Sequence, residues 1–167
     1  MSEDKTIEIL KSAILLEKRG QAFYSKIARQ TSGKAVKAFF ELMADEEVKH
    51  VDILAEQYKA YRQNEKFNPG DYQENHENSI SAKVLTKELK EEISAADYEA
   101  AAISAAIAME KNAIQLYSDR ASAAADPNEK ALYKWLAEWE RQHLNFLAEI
   151  DKELTEEVWY DNNFWPF

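Results

Sequence analysis

The chain has 167 residues, which suits one domain with a sizeable core, and 46% of them are apolar, so it is not a disordered segment. Its net charge of −10 argues against nucleic acid and anionic membranes as partners, because both require basic patches. Without cysteine, the chain has no disulfides, thiolate metal sites or iron–sulfur clusters. No stretch approaches the ~20 apolar residues of a membrane span, and no secretory signal pattern is present, so we expect a cytoplasmic protein.

The first half of the chain predicts two long helices. Apolar residues recur at helical spacing from about residue 6 to 30 and again from about 34 to 62. Gly33 lies between these segments, and a glycine at such a place commonly ends a helix. Because the chain has only three glycines and three prolines, an all-helical fold is favoured over a sheet with many turns.

A long crossover is predicted between the two halves, over residues 63–94. Its first part is polar and contains Pro69 and Gly70, which is typical of a loop. His76 lies in this polar part, and we interpret it as a solvated loop residue. The later stretch "AKVLTKELKEEI" predicts a short helix.

The second half predicts another pair of long helices. Ser94 is a candidate N-cap, with Asp97 three residues further on, for a helix that ends near residue 124. The motif "DPNE" predicts the start of the next helix: Asp126 caps it, a proline fills the first turn and Glu129 completes a capping box. This last helix is expected to end near residue 154.

The chain after residue 154 is aromatic, with the sequence "VWYDNNFWPF" at its end. Such a segment is too apolar to remain in water, so residues 155–167 are expected to dock on the bundle or on a partner subunit. Short links within each helix pair and one long link between the pairs predict an all-α four-helix bundle over residues 1–154.

The two halves repeat each other at an offset of 93 residues. "AILLEKRGQAFYSKIA" at 13–28 and "AIAMEKNAIQLYSDRA" at 106–121 share seven of sixteen residues. The offset continues without a gap through the second helix of each pair. We therefore predict two helical hairpins, over about residues 5–62 and 95–154, that are related by a pseudo-two-fold axis.

The repeat places charged residues where apolar ones would continue the core stripe. Glu47 and His50 lie three residues apart on the second helix, and Glu140 and His143 repeat them on the fourth. Three residues correspond to about 60° of rotation and about 4.5 Å of rise, so both side chains of each pair face inward. The first helix of each hairpin adds one glutamate, at positions 17 and 110.

A cluster of four glutamates and two histidines at mid-bundle predicts a site for two metal ions. Four ionised carboxylates in a dry interior repel one another and are costly to desolvate. Two divalent cations balance the four negative charges while both imidazoles stay neutral. Mixed oxygen and nitrogen ligands suit iron or manganese better than calcium, so we expect two iron ions, with manganese or a mixed pair as alternatives. A buried polar network without metal is the competing interpretation.

At these residues the chain resembles the rubrerythrin branch of the ferritin-like superfamily. The motifs "LLEKRGQAFY", "DEEVKH", "AMEKNAIQLY" and "EWERQH" carry the resemblance, which covers about residues 5 to 154. It implies a ferritin-like four-helix bundle and a di-iron protein that reduces peroxide or dioxygen. It also implies the ligand roles: terminal Glu17 and Glu110, bridging Glu47 and Glu140, and His50 and His143 on one metal each.

The chain departs from the family pattern in two ways. Typical rubrerythrins carry a rubredoxin-type domain with four cysteines, whereas this chain has no cysteine, so we expect an external electron donor such as a rubredoxin-like protein. Typical rubrerythrins also carry an extra glutamate three residues after the ligand of the third helix, where this chain has Ala113. The remaining six-ligand set is closer to that of bacterioferritin, but no haem is predicted.

Other residues near the predicted site are ambiguous in the sequence. Tyr24 and Tyr117 lie two turns beyond Glu17 and Glu110 on the same face. They could hydrogen-bond the ligands, although ordinary core tyrosines with satisfied hydroxyls are the favoured interpretation. Glu46 has Trp139 as its repeat counterpart, so the sequence supports no paired role for it.

Three functions fit the predicted site. The favoured one is a non-haem di-iron oxidoreductase that reduces hydrogen peroxide, or dioxygen, with an external donor. The second is a ferroxidase or iron-handling protein, and the third is a non-enzymatic metal-bound scaffold or sensor. We expect a homodimer or another small homo-oligomer.

Overall fold

The computed structural model describes residues 3–72, 87–93 and 98–160 and shows four long helices and one short helix. The described residues contain no strand, and the four long helices form a four-helix bundle, as predicted. The helices are α1 (Glu3–Gln30), α2 (Lys34–Asn64), α3 (Lys87–Glu92), α4 (Tyr98–Ala123) and α5 (Pro127–Tyr160).

Two apolar layers fill the bundle on either side of its middle. One layer packs Phe39, Phe40 and Met43 of α2 against Ile103 of α4 and Leu147 of α5. The other layer, towards the opposite end, is built from the residues Leu10, Leu54, Tyr117, Leu132, Tyr133 and Leu136. Because both layers are closed to solvent, the polar residues between them lie in a dry environment.

The turn between α1 and α2 is closed by a carboxylate from α3. The backbone N–H groups of Ala35 and Val36 donate to Oε2 of Glu92, at 2.9 and 3.0 Å. A Cβ atom on Gly33 would lie 2.4 Å from that oxygen, and Gly33 has an ordinary φ of −72°. Gly33 is therefore needed for the close approach of Glu92 at the start of α2, where it is the N-cap, whereas the sequence predicted it at the end of α1.

The start of α5 agrees in part with the predicted capping motif. Oδ1 of Asp126 accepts the backbone N–H of Asn128 at 2.8 Å, which is the expected cap. The carboxylate of Glu129, expected to complete a capping box, instead accepts the Nε–H of buried Arg120 at 2.7 Å. The helix continues to Tyr160, six residues beyond its predicted end, so the first part of the aromatic segment is helical.

Some sequence predictions lie outside the described residues. These are the N-cap at Ser94 with Asp97, the loop position of His76, and the docking of residues 161–167. Within the described ranges, every helix is too short or too polar to cross a membrane.

Candidate metal centre

The six predicted site residues meet at mid-bundle, between the two apolar layers. α1 and α4 contribute one glutamate each, and α2 and α5 contribute a glutamate and a histidine each. All six side chains are buried, and both histidines have no exposed surface. They are Glu17, Glu47, His50, Glu110, Glu140 and His143.

On one side of the cluster, Nδ1 of His50 faces three carboxylates. It lies 2.9 Å from Oε1 of Glu140, 3.2 Å from Oε2 of Glu17 and 3.5 Å from Oε2 of Glu47. These four residues offer donor atoms that all lie within 4.8 Å of one another. A first-row metal binds nitrogen and oxygen at about 2.0–2.2 Å, so one ion can reach donor atoms at this spacing with small adjustments.

The other side repeats this arrangement around His143. Its Nδ1 atom lies 3.1 Å from Oε2 of Glu140, 3.5 Å from Oε1 of Glu110 and 3.7 Å from Oε1 of Glu47. The four residues form a second group with the same spacing of donor atoms. Glu47 and Glu140 belong to both groups, so each can bridge two ions, whereas Glu17 and Glu110 belong to one group each.

The two shared glutamates differ in their electrostatics. Burial and the neighbouring carboxylates of Glu140 and Glu17 hold the pKa of Glu47 well above its usual value. Burial also opposes ionisation of Glu140, but His50 and His143 outweigh it, so the pKa of Glu140 lies well below its usual value.

Three further groups of the cluster have pKa values shifted by burial and by their neighbours. Burial and Glu140 raise the pKa of Glu110 to about 8. Burial alone would lower the pKa of each histidine, but the surrounding carboxylates raise the pKa of both His50 and His143 well above the usual value. Without metal, the carboxylates and imidazoles of the cluster therefore share protons.

Two buried tyrosines connect the two hairpins through this cluster. The hydroxyl of Tyr24 on α1 donates to Oε1 of Glu110 on α4, and the hydroxyl of Tyr117 on α4 donates to Oε1 of Glu17 on α1. Burial and the accepting carboxylates raise the pKa of both hydroxyls, so each stays protonated and can donate. Both tyrosines are core residues with satisfied hydroxyls, and the groups that satisfy them are the candidate terminal ligands.

Glu46 also contacts the cluster, although the sequence assigns it no role. Its side chain is 1% exposed, and Oε2 lies 2.6 Å from Nε2 of His143 and accepts the indole N–H of Trp139 at 2.9 Å. Burial opposes its ionisation, but the hydrogen bonds from His143 and Trp139 outweigh burial and lower the pKa of Glu46. Residues 46 and 139 are repeat counterparts, but the repeat does not show which counterparts meet, so the sequence contains no signal for this contact.

Comparison with known proteins identifies the family. The family model described as Rubrerythrin matches residues 8–151. The chain belongs to the rubrerythrin family. A search of curated proteins and a search of solved structures gave no match.

Members of the rubrerythrin family are di-iron carboxylate proteins, and the buried cluster suits a pair of metal ions. Both carboxylate oxygens of Glu140 and Nδ1 of His143 are buried, and although Glu140 lies close to both imidazoles, none of these three atoms makes a well-aligned hydrogen bond with a described residue. Buried polar atoms without partners are costly, and these three point into the cluster, where a cation would satisfy them. The donor set therefore fits the metal pair that the rubrerythrin family implies.

A small cavity adjoins the candidate centre between α1 and α4. It has a volume of about 20 Å³, and its walls include Gly20, Tyr24, Glu47, Met109 and Ala113. Gly20 and Ala113 are repeat counterparts, and a Cβ atom on Gly20 would lie 3.3 Å from Cδ of Glu47. Small residues at both positions keep this space open, and Ala113 stands where a typical rubrerythrin has its extra glutamate.

Proposed function

We propose that this protein is a di-iron oxidoreductase that reduces hydrogen peroxide with electrons from an external donor. The observation that carries the proposal is the pair of four-residue groups that share Glu47 and Glu140 in a dry layer of the bundle. Glu17 and His50 would complete the ligands of one iron ion, and Glu110 and His143 those of the other. Iron fits the mixed carboxylate and imidazole ligands and agrees with the chemistry of the family.

Two iron ions held there would supply two electrons that, with two protons, reduce hydrogen peroxide to two water molecules. The residues of the chain hold this centre in place. Tyr24 and Tyr117 donate to Glu110 and Glu17, which restricts the rotation of these two carboxylates.

The surroundings of the centre favour a very small oxidant. The cavity of about 20 Å³ exceeds the ~10–15 Å³ needed for one water molecule, so it suits a two-oxygen molecule better than an organic substrate. Apolar layers above and below the cluster exclude bulk water, which protects the oxidised centre from side reactions.

Electrons must come from outside these 167 residues. The chain has no cysteine, so it cannot form a rubredoxin-type iron site of its own. A separate rubredoxin-like protein is the proposed class of donor.

Ferroxidase activity is the second candidate, and Ala113 favours it. A rubrerythrin with the extra glutamate has a further carboxylate for one iron ion. At this position the chain has Ala113, whose methyl group is part of the cavity wall. The six remaining ligands resemble those of bacterioferritin, in which iron itself is oxidised.

Rapid mixing of the anaerobic Fe(II)-loaded protein with each oxidant separates these functions. A peroxidase should react fast with peroxide and slowly with dioxygen, and should consume about one peroxide per iron pair before a donor is added. A ferroxidase should react faster with dioxygen and continue to oxidise excess Fe(II). If two iron ions bind and neither oxidant reacts, the protein is a metal-bound scaffold or sensor. The variant Glu140→Ala should lose the reaction, and Asp45→Asn, at an exposed position of α2, should retain it.

A further inference from the structure

The ligands of the two halves of the candidate metal centre are equivalent, but the residues behind the two histidines differ. The four glutamates, two histidines and two tyrosines all pair at the offset of 93 residues. Glu46 and Trp139 also occupy equivalent positions, but one is an anion and the other is an indole. Among the described buried charged residues that contact the cluster, Glu46 is the one without a matching counterpart.

Glu46 makes its hydrogen bond to His143, whereas it reaches His50 only through its charge. Nδ1 of His143 faces the carboxylates of the cluster, and Nε2, on the far side of the ring, lies 2.6 Å from Oε2 of Glu46. When a metal occupies Nδ1, the one proton of the imidazole lies on Nε2, where Oε2 of Glu46 is placed to accept it. The indole N–H of Trp139 donates to the same oxygen at 2.9 Å and fixes the carboxylate in this orientation.

His50 lacks such a partner. Its Nδ1 atom faces Glu140, Glu17 and Glu47, but its Nε2 atom has no hydrogen-bond partner among the described residues. The ring is instead enclosed by two indoles in edge-to-face contact, Trp139 at 5.4 Å and Trp135 at 5.9 Å between ring centres. Among the described residues, no carboxylate accepts a proton from Nε2 of His50, so none holds the tautomer that leaves the Nδ1 lone pair for a metal.

We infer that Glu46 is a positioning residue that makes the metal position at His143 bind more tightly than the position at His50. The inference rests on the metal pair of the proposed function, but not on its reaction with peroxide. A carboxylate that accepts the outer N–H of a ligand histidine increases the basicity of the metal-binding nitrogen, and losing such a partner typically costs 10–100-fold in metal affinity. The negative charge of Glu46 adds to this attraction most strongly at the position of His143, which lies nearer to it.

Single-position variants test the inference without the complication of two ions repelling each other. His50→Ala leaves the position at His143, and His143→Ala leaves the position at His50. Titration of each metal-free variant with Co(II), followed by calorimetry and by the visible absorption of bound Co(II), gives the affinity and ligand geometry of each position. We expect the position at His143 to bind about 10–100-fold more tightly.

Glu46→Gln then identifies the cause. The amide can still accept from Trp139 and His143, so the change removes the charge while preserving the shape. It should weaken Co(II) binding about 10-fold or more in the His50→Ala background, alter the absorption spectrum there, and leave binding in the His143→Ala background nearly unchanged. Asp45→Asn, the matched control, makes the same charge change at the exposed neighbouring position and should alter neither affinity.

Equal affinities in the two single-position variants would overturn the inference, as would an equal effect of Glu46→Gln in both backgrounds. Failure of the wild-type protein to bind Co(II) or Fe(II) would overturn it together with the proposed function. Unequal positions in a protein that does not reduce peroxide would retain the inference and reject only the proposed reaction. Thermal unfolding of each variant confirms that the compared proteins are folded.

Discussion

Glu47 and Glu140 occupy equivalent positions in the two hairpins, yet their surroundings differ in charge. Glu140 lies within 3.1 Å of both imidazole Nδ1 atoms, which lower its pKa. Glu47 lies farther from both imidazoles, at 3.5 and 3.7 Å, and its pKa is raised by burial and by its carboxylate neighbours. In the metal-free protein, Glu140 stabilises the cluster and Glu47 is the costly member.

Glutamine at these two positions should therefore have opposite effects on the metal-free protein. Glu47→Gln removes a buried carboxyl that resists ionisation, which costs stability above its unfolded pKa, and should raise the free energy of unfolding at neutral pH. Glu140→Gln removes the favoured partner of both imidazoles and should lower that free energy. Denaturant unfolding in the presence of a chelator measures both, with Glu138→Gln at an exposed position of α5 as the control. Changes of the same sign would contradict the assignment.

Glu46 illustrates how far the repeat alone could predict the site. The offset of 93 residues and the helical period were sufficient to select the six residues that the structure brings together. They assigned no role to Glu46, because its counterpart is a tryptophan and the sequence offers no matching carboxylate. Its contact with His143 depends on how side chains of α2 and α5 meet across the bundle, which a helical period does not determine.

At the level of the helices, the start of α2 depends on the end of α3. Glu92 accepts the N–H groups of Ala35 and Val36, so a residue of the crossover supplies the cap that Gly33 cannot. The sequence predicts the short helix but not this contact, because Glu92 lies 57 positions after Ala35 and 56 positions after Val36. The end of α5 also lies beyond its predicted position, because the sequence predicts a tail where the aromatic residues begin.

Gly33→Ala should displace Glu92 and destabilise the protein. The added Cβ would lie 2.4 Å from Oε2 of Glu92, so the cap must shift, and the loss of a helix cap costs about 0.5–2 kcal/mol. Glu92→Ala should cost a similar amount, and the double variant should cost little more than either single one, because both remove the same contact. Denaturant unfolding measures the three values, with Glu88→Ala on α3 as the control. Additive costs would show that the two residues act independently.

On the scale of the whole bundle, metal binding should stabilise the fold. The metal pair binds the folded cluster and cancels the repulsion among its carboxylates, so it should raise the melting temperature. At a free metal concentration of a hundred times the dissociation constant, the gain is about 2.7 kcal/mol per ion. Differential scanning calorimetry before and after chelation checks this. An unchanged melting temperature, in a protein shown to release two ions, would contradict the electrostatic account.

The oligomeric state of the protein is predicted from the sequence alone. The aromatic end of the chain and the long crossover predict a homodimer or another small oligomer. Light scattering of the metal-loaded protein should give the mass of such an oligomer. A mass that corresponds to a closed cage would instead favour the iron-handling function.

The central claim is that one bundle holds two metal ions between its two hairpins. Crystallography of the iron-loaded protein, with anomalous data on both sides of the iron absorption edge, tests it most directly. We predict two anomalous peaks about 3.5–4 Å apart, the separation usual in two-metal sites. One should contact Glu17 and His50, the other Glu110 and His143, and both should contact Glu47 and Glu140. A single peak, or peaks away from these six residues, would contradict the claim.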